Sequence, residues 1–195
     1  MFLAAGLVAA SRFAAHHPHP RFGAANAVTS VRLALVALLA GALGEAASEA
    51  LGWAATAVTL LTSALDGLDG WLARRSSLVS AFGARFDMET DALLIMVLSA
   101  LAWTWGRAGA WVLACGLMRY AFVAAAWAWP WMARPLPPSL RRKAVCVVQI
   151  LGLAIVVAPV ITPPLSGWLA AITLAALSWS FAVDVAWLAV RRTAR

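Results

Sequence analysis

The chain has 195 residues, is 64% hydrophobic and only 12% charged, and has a mean hydropathy of +0.86. That composition excludes a soluble globular domain and points to an all-α polytopic membrane protein, one compact bundle over residues 1–195. A net charge of +7 and a pI near 11.3 do not argue for nucleic acid. Most basic residues stand between apolar runs, where topology signals sit and where anionic head groups or an anionic substrate would meet them.

In chain order, residues 1–15 are apolar but short and lack a basic leader, a poor signal peptide. They are expected to form a helix lying on the membrane surface, within a juxtamembrane segment over 1–20. His16, His17 and His19 alternate with Pro18 and Pro20, which breaks helical ligand spacing and reads as a polar loop. A spanning helix needs about 20 mostly apolar residues. Six candidate spans follow, over 25–43, 51–74, 80–105, 110–129, 140–158 and 165–190. Glycine pairs, Ser76 with Ser77, and proline clusters at 135–138 and 159–164 punctuate them. The predicted fold is therefore a six-transmembrane-helix bundle with an N-terminal interfacial helix.

Orientation follows from the basic residues. Arg12, Arg21, Arg74, Arg75, Arg134, Arg141, Arg142, Lys143, Arg191, Arg192 and Arg195 fall on one side, and the alternate loops hold only Arg107. The asymmetry places both termini in the cytoplasm. Tryptophans cluster at both sets of span ends as an interfacial belt. Cys115 and Cys146 lie in apolar runs and read as packing residues.

Against this apolar background stand Asp66, Asp69, Asp87 and Asp91. A carboxylate at membrane depth costs roughly 2.5–3.5 kcal/mol, so four of them need a neutraliser. Asp66 and Asp69 are i and i+3 on the second span, and Asp87 and Asp91 are i and i+4 on the third, so each pair shares a face. Counted at 1.5 Å per residue from the intervening turn, the four lie about 9–16 Å deep on antiparallel neighbours. Hard divalent cations take carboxylate oxygens, and a two-metal centre would hold a pyrophosphate. An ion or proton relay, or pairing with Arg74, Arg75 and Arg85, is the alternative use. Gly70, Ala73 and Gly83 would let a nucleotide approach the backbone, and Arg74 offers a planar fork for phosphate.

This stretch resembles the CDP-alcohol phosphotransferase (CDP-alcohol phosphatidyltransferase) family, whose signature is D-x-x-D-G-x-x-A-R followed by G-x-x-x-D-x-x-x-D. All eight fixed positions are present as Asp66, Asp69, Gly70, Ala73, Arg74, Gly83, Asp87 and Asp91. An N-x-x-T-x-x-R pattern at Asn26, Thr29 and Arg32 supports the resemblance, although Ala25 replaces the proline often found before the asparagine. The resemblance implies an enzyme of phospholipid synthesis with two divalent ions, Mg²⁺ or Mn²⁺, on Asp66, Asp69, Asp87 and Asp91. Asp91 would be the general base. Asn26, Thr29, Gly70, Ala73, Arg74 and Gly83 would hold the nucleotide of CDP-diacylglycerol. It further implies a homodimer and a site facing the cytoplasm from a bacterial inner membrane.

Four further cations bear on the acceptor alcohol. Arg119 falls near mid-membrane, where a lone arginine favours a pocket or a structural acid such as Asp184. Arg141, Arg142 and Lys143 open the fifth span. With Arg32 they are expected to line a site for an anionic acceptor. Glycerol 3-phosphate leads, inositol phosphate follows, and serine stays open. Glu89, two residues from Asp87, faces elsewhere and reads as a pairing residue. A small ion-coupled transporter or a non-catalytic scaffold would ask nothing of Gly70, Ala73, Arg74 and Gly83 at their spacing.

Overall fold

A computed structural model describes residues 24–75 and 81–192, with side chains described over 26–68 and 83–192. The surface helix expected over 1–15 lies outside the described residues. Within them the chain is all-helical: α1 Ala24–Ala40, α2 Glu49–Arg75, α3 Ala81–Thr104, α4 Leu113–Ala128, α5 Leu140–Val157 and α6 Leu165–Arg192. Short 3₁₀ turns at Gly41–Gly44, Ala110–Val112 and Pro130–Ala133 extend or join them. Among the described residues, four apolar segments are long enough to cross a membrane: Asn26–Gly44, Glu49–Leu68, Ala110–Ala128 and Leu165–Arg192. The other two helices have charged N-terminal halves: α3 carries Arg85, Asp87, Glu89 and Asp91, and α5 begins with Arg141, Arg142 and Lys143.

Each helix buries one stripe at helical spacing, and the stripes explain the bundle. On α1 it runs Asn26, Thr29, Arg32, Val36, Leu39; on α2 it runs Gly52, Ala55, Thr59, Thr62. On α3, Leu94, Leu98 and Leu101 are fully buried, and Trp105, just past its end, nearly so. Steps of three and four residues keep a stripe on one side of an α-helix. α3 is central and packs against α1, α4 and α5, while α5 also packs against α2 and α6. The core forms where Val36, Leu94, Leu98, Leu101, Leu153, Val156 and Val157 meet.

Buried hydroxyls within this apolar medium are satisfied locally. Thr59 donates to the Ala55 carbonyl at 2.7 Å, Thr62 to Val58 at 2.8 Å and Ser99 to Ile95 at 2.7 Å. Such back-bonding to residue i−4 removes the cost of an unpaired polar group. At the end of the bundle opposite the acidic cluster, Trp105 Nε1 donates to the Glu45 carbonyl and Arg107 donates to the Ile161 carbonyl at 3.0 Å. These bonds tie the α3–α4 turn to the neighbouring loops.

Gly116 sets how closely α4 approaches α3. A Cβ there would stand 2.6 Å from Met96 Cα, a backbone atom that no rotamer change can move. Gly116→Ala is therefore expected to push the two helices apart at a cost of about 1–3 kcal/mol. A fall in the thermal unfolding midpoint of the detergent-solubilised protein checks this.

Candidate active site

The stripes of α1, α2 and α3 run into polar residues at one end of the bundle. The buried line on α2 continues at helical spacing from Thr59 and Thr62 to Asp66. The α3 line continues back from Leu98 and Leu94 to Asp91 and Asp87. The face that packs the core in mid-helix therefore presents carboxylates at its end. Arg32, on the buried line of α1, reaches the same place.

Arg32 is 1% exposed. Its Nη1 forms an ion pair with Asp66 Oδ1 at 2.9 Å and donates to Asp87 Oδ1, and its Nη2 donates to Asp91 Oδ1. One guanidinium from α1 thus joins carboxylates from two other helices. The acids open toward solvent, with Asp66 and Asp87 at 36% and 38% side-chain exposure and Asp91 at 19%. The site is a cup with a cationic floor and an anionic, accessible rim. On its α5 side, the Cys146 thiol lies 3.8 Å from Asp91 Oδ2, the oxygen that Arg32 does not hold.

The carboxylates suit a hard divalent ion. One ligand oxygen from each of Asp66, Asp87 and Asp91 lies within 4.8 Å of the other two. Oxygens bound to one Mg²⁺ or Ca²⁺-sized ion at about 2.0–2.6 Å are separated by no more than about 5 Å. Three carboxylate oxygens at this spacing match the ligand preference of a hard divalent ion.

Of the residues singled out from sequence, the structure brings Asp66, Asp87, Asp91 and Arg32 to one point. Asn26 and Thr29 lie buried on the same line of α1 as Arg32. Asp69, Gly70, Ala73 and Arg74 belong to the last turns of α2, but their side chains lie outside the described residues. Gly83 is half-buried on the first turn of α3.

The remaining cations separate into two pairings. Arg119 of α4 donates to Glu89 of α3, so its partner is Glu89 and not Asp184. Asp184, buried on α6, holds Arg141 at 2.5 Å and Arg142 at 3.1 Å. Arg141 also donates to the Ser180 carbonyl and hydroxyl, each at 2.5 Å. Lys143 is exposed. Two guanidiniums share one carboxylate, so this corner retains one positive charge near the α5 N-terminus.

Sequence reasoning missed two contacts. Cys146 reads as a packing thiol, and nothing in its neighbours signals Asp91. Asp184 was offered as a partner for Arg119, although its place about two turns before the basic end of α6 was a usable signal.

A family model described as CDP-alcohol phosphatidyltransferase matches residues 22–183. No curated protein and no solved structure matches the chain at significance.

Proposed function

The chain belongs to the CDP-alcohol phosphatidyltransferase family, and from that premise we propose that it moves the phosphatidyl group of CDP-diacylglycerol onto the hydroxyl of a small phosphate-bearing alcohol, releasing CMP. The observation that carries the reading is the meeting of Asp66, Asp87 and Asp91 oxygens within 4.8 Å at an open rim. Glycerol 3-phosphate is the proposed acceptor, with inositol phosphate second. The positive charge left over at Arg141, Arg142 and Asp184 supports an anion there.

The chemistry is displacement at the phosphorus that bears the lipid. A P–O bond forms to the acceptor oxygen, the P–O bond to the CMP phosphate breaks, and the hydroxyl proton passes to Asp91. Bound Mg²⁺ or Mn²⁺ would polarise the phosphoryl oxygens and offset charge on the leaving CMP. Asp66, Asp69, Asp87 and Asp91 would hold the ions. Arg32 fixes one oxygen of Asp91 and leaves Oδ2 to accept the proton, so the base presents one defined face. Asn26, Thr29, Gly70, Ala73, Arg74 and Gly83 would seat the nucleotide. Most remaining acceleration would come from positioning two substrates in one cup.

In this reading α3 and α5 cross the bilayer with the four apolar segments, giving six transmembrane helices. The positive-inside asymmetry supports a cup open to the cytoplasm, where CDP-activated lipid and soluble acceptor both reach it. The Ala- and Gly-rich helix faces support close approach of a second copy in a homodimer.

The test is CMP release by the purified protein with CDP-diacylglycerol, Mg²⁺ or Mn²⁺, and a panel of glycerol 3-phosphate, inositol phosphate and serine. Release is expected with glycerol 3-phosphate. Release only with serine would reassign the acceptor. Silence with every acceptor from folded, metal-bound protein would remove the enzymatic reading and return the acids to an ion relay.

A further inference from the structure

The buried guanidinium of Arg32 lies directly on the carboxylate oxygens that are also suited to bind metal. Its side chain is almost wholly buried at 1% exposure, while the three carboxylates it touches face solvent. It approaches from α1, and its partners come from α2 and α3, so no single helix could hold this arrangement. The contacted atoms are Oδ1 of Asp66, Oδ1 of Asp87 and Oδ1 of Asp91, one oxygen from each member of the cluster that fits a divalent ion.

We infer that Arg32 is a positioning residue that acts as resident counter-cation of the acidic cup, holding its carboxylates together without metal and competing with divalent ions for their oxygens. The inference rests on the metal-binding reading proposed above.

The physics has two parts. Three carboxylates within 4.8 Å repel one another even though partly exposed, and a cation among them offsets that repulsion and favours the helix ends staying together. Arginine suits the task because its planar fork reaches several carboxylates at once and it does not lose its proton. The same contacts oppose metal. An oxygen accepting from Nη1 or Nη2 has one lone-pair direction already engaged, and an ion arriving beside the guanidinium meets a like charge. Metal entry is therefore opposed while Arg32 holds the Oδ1 atoms and is eased when it draws back from part of the cluster. A merely structural arginine would influence stability alone; a competing counter-cation must also influence metal affinity, and in the direction of weakening it. Coupling free energies between two bound groups on one protein typically change affinity about 5- to 150-fold, and the effect of Arg32 on metal is expected within that range.

The experiment compares the full-length wild-type chain with Arg32→Gln and Arg32→Lys in detergent or nanodiscs. Mn²⁺ affinity is read by calorimetry or by the Mn²⁺ resonance signal, and thermal midpoints are read in EDTA and in saturating Mn²⁺. Arg32→Gln is expected to bind Mn²⁺ roughly tenfold more tightly than wild type. It should also melt lower in EDTA and gain more on adding Mn²⁺. Arg32→Lys, a point charge without the fork, should fall between the two. If Arg32→Gln folds only with Mn²⁺ present, that agrees with the counter-cation role, and Arg32→Lys then supplies the affinity comparison. Unchanged or weaker Mn²⁺ binding in the variants, with normal binding in wild type, overturns the role of Arg32 and leaves the proposed reaction standing. Absence of Mn²⁺ binding in wild type as well removes the metal-site reading itself.

Discussion

Asp91→Asn is expected to lower kcat for acceptor-dependent CMP release by about 10²–10⁴-fold, the usual contribution of a positioned general base. The substitution keeps the shape of the side chain, and an amide oxygen can still accept from Arg32 Nη2. What it removes is the capacity of the Oδ2 position to take a proton, and that position faces α5 beside Cys146 at 3.8 Å. If Asp91 works chiefly as base, KM for CDP-diacylglycerol should change far less than kcat, a pattern expected for an interaction made mainly in the transition state. Measuring Mn²⁺ affinity of the same variant separates its two proposed roles. A large loss of kcat with metal binding retained assigns Asp91 to proton transfer. A parallel loss of metal assigns it to ligation, and an active Asp91→Asn enzyme would end its role as base.

Chelation should have an effect as large or larger. Treatment with EDTA is expected to abolish CMP release, a fall of roughly 10³-fold or more, because several kcal/mol of charge stabilisation at the phosphoryl oxygens would be lost at about 1.4 kcal/mol per tenfold. Adding back Mg²⁺ or Mn²⁺ should restore the rate. Asp87→Asn should raise the metal concentration needed for half-maximal activity, because Asp87 is one of the three acids whose oxygens lie within reach of one ion. Activity in EDTA equal to that of the untreated enzyme would show that the cup works as something other than a metal site.

The helices themselves were readable because their signal is local. The line 87, 91, 94, 98, 101 on α3 keeps one face by steps of three and four residues. It shows without coordinates that Asp87 and Asp91 share the face of the core leucines. The line through Asn26, Thr29 and Arg32 on α1 likewise marks Arg32 for burial. Charges at the starts of α3 and α5 dilute their apolar runs, and these two helices, read from sequence as spans, are not among the four apolar segments long enough to cross a membrane.

Partner choice was not readable in the same way. Arg32 was set with the acceptor, and the structure places it on Asp66, Asp87 and Asp91. Arg119 had several acids open to it, and it meets Glu89. Asp184 neutralises Arg141 and Arg142 instead. In each case the sequence identifies a charge that needs a counter-charge at membrane depth, and several opposite charges satisfy that need equally well on paper.

By itself the amino-acid order determined a helical membrane chain, the depth of each acid along its own helix, and the fixed spacing that marks the family. Only the tertiary structure decided that an arginine from α1 lies at the floor of the acidic cup, that a thiol from α5 borders Asp91, and which acid neutralises which arginine. Periodicity sets a residue's height and facing on one helix. Which faces meet depends on how each helix is rotated and tilted against its neighbours, and that follows from the packing of buried residues such as Leu98, Leu101, Leu153 and Gly116 deeper in the bundle.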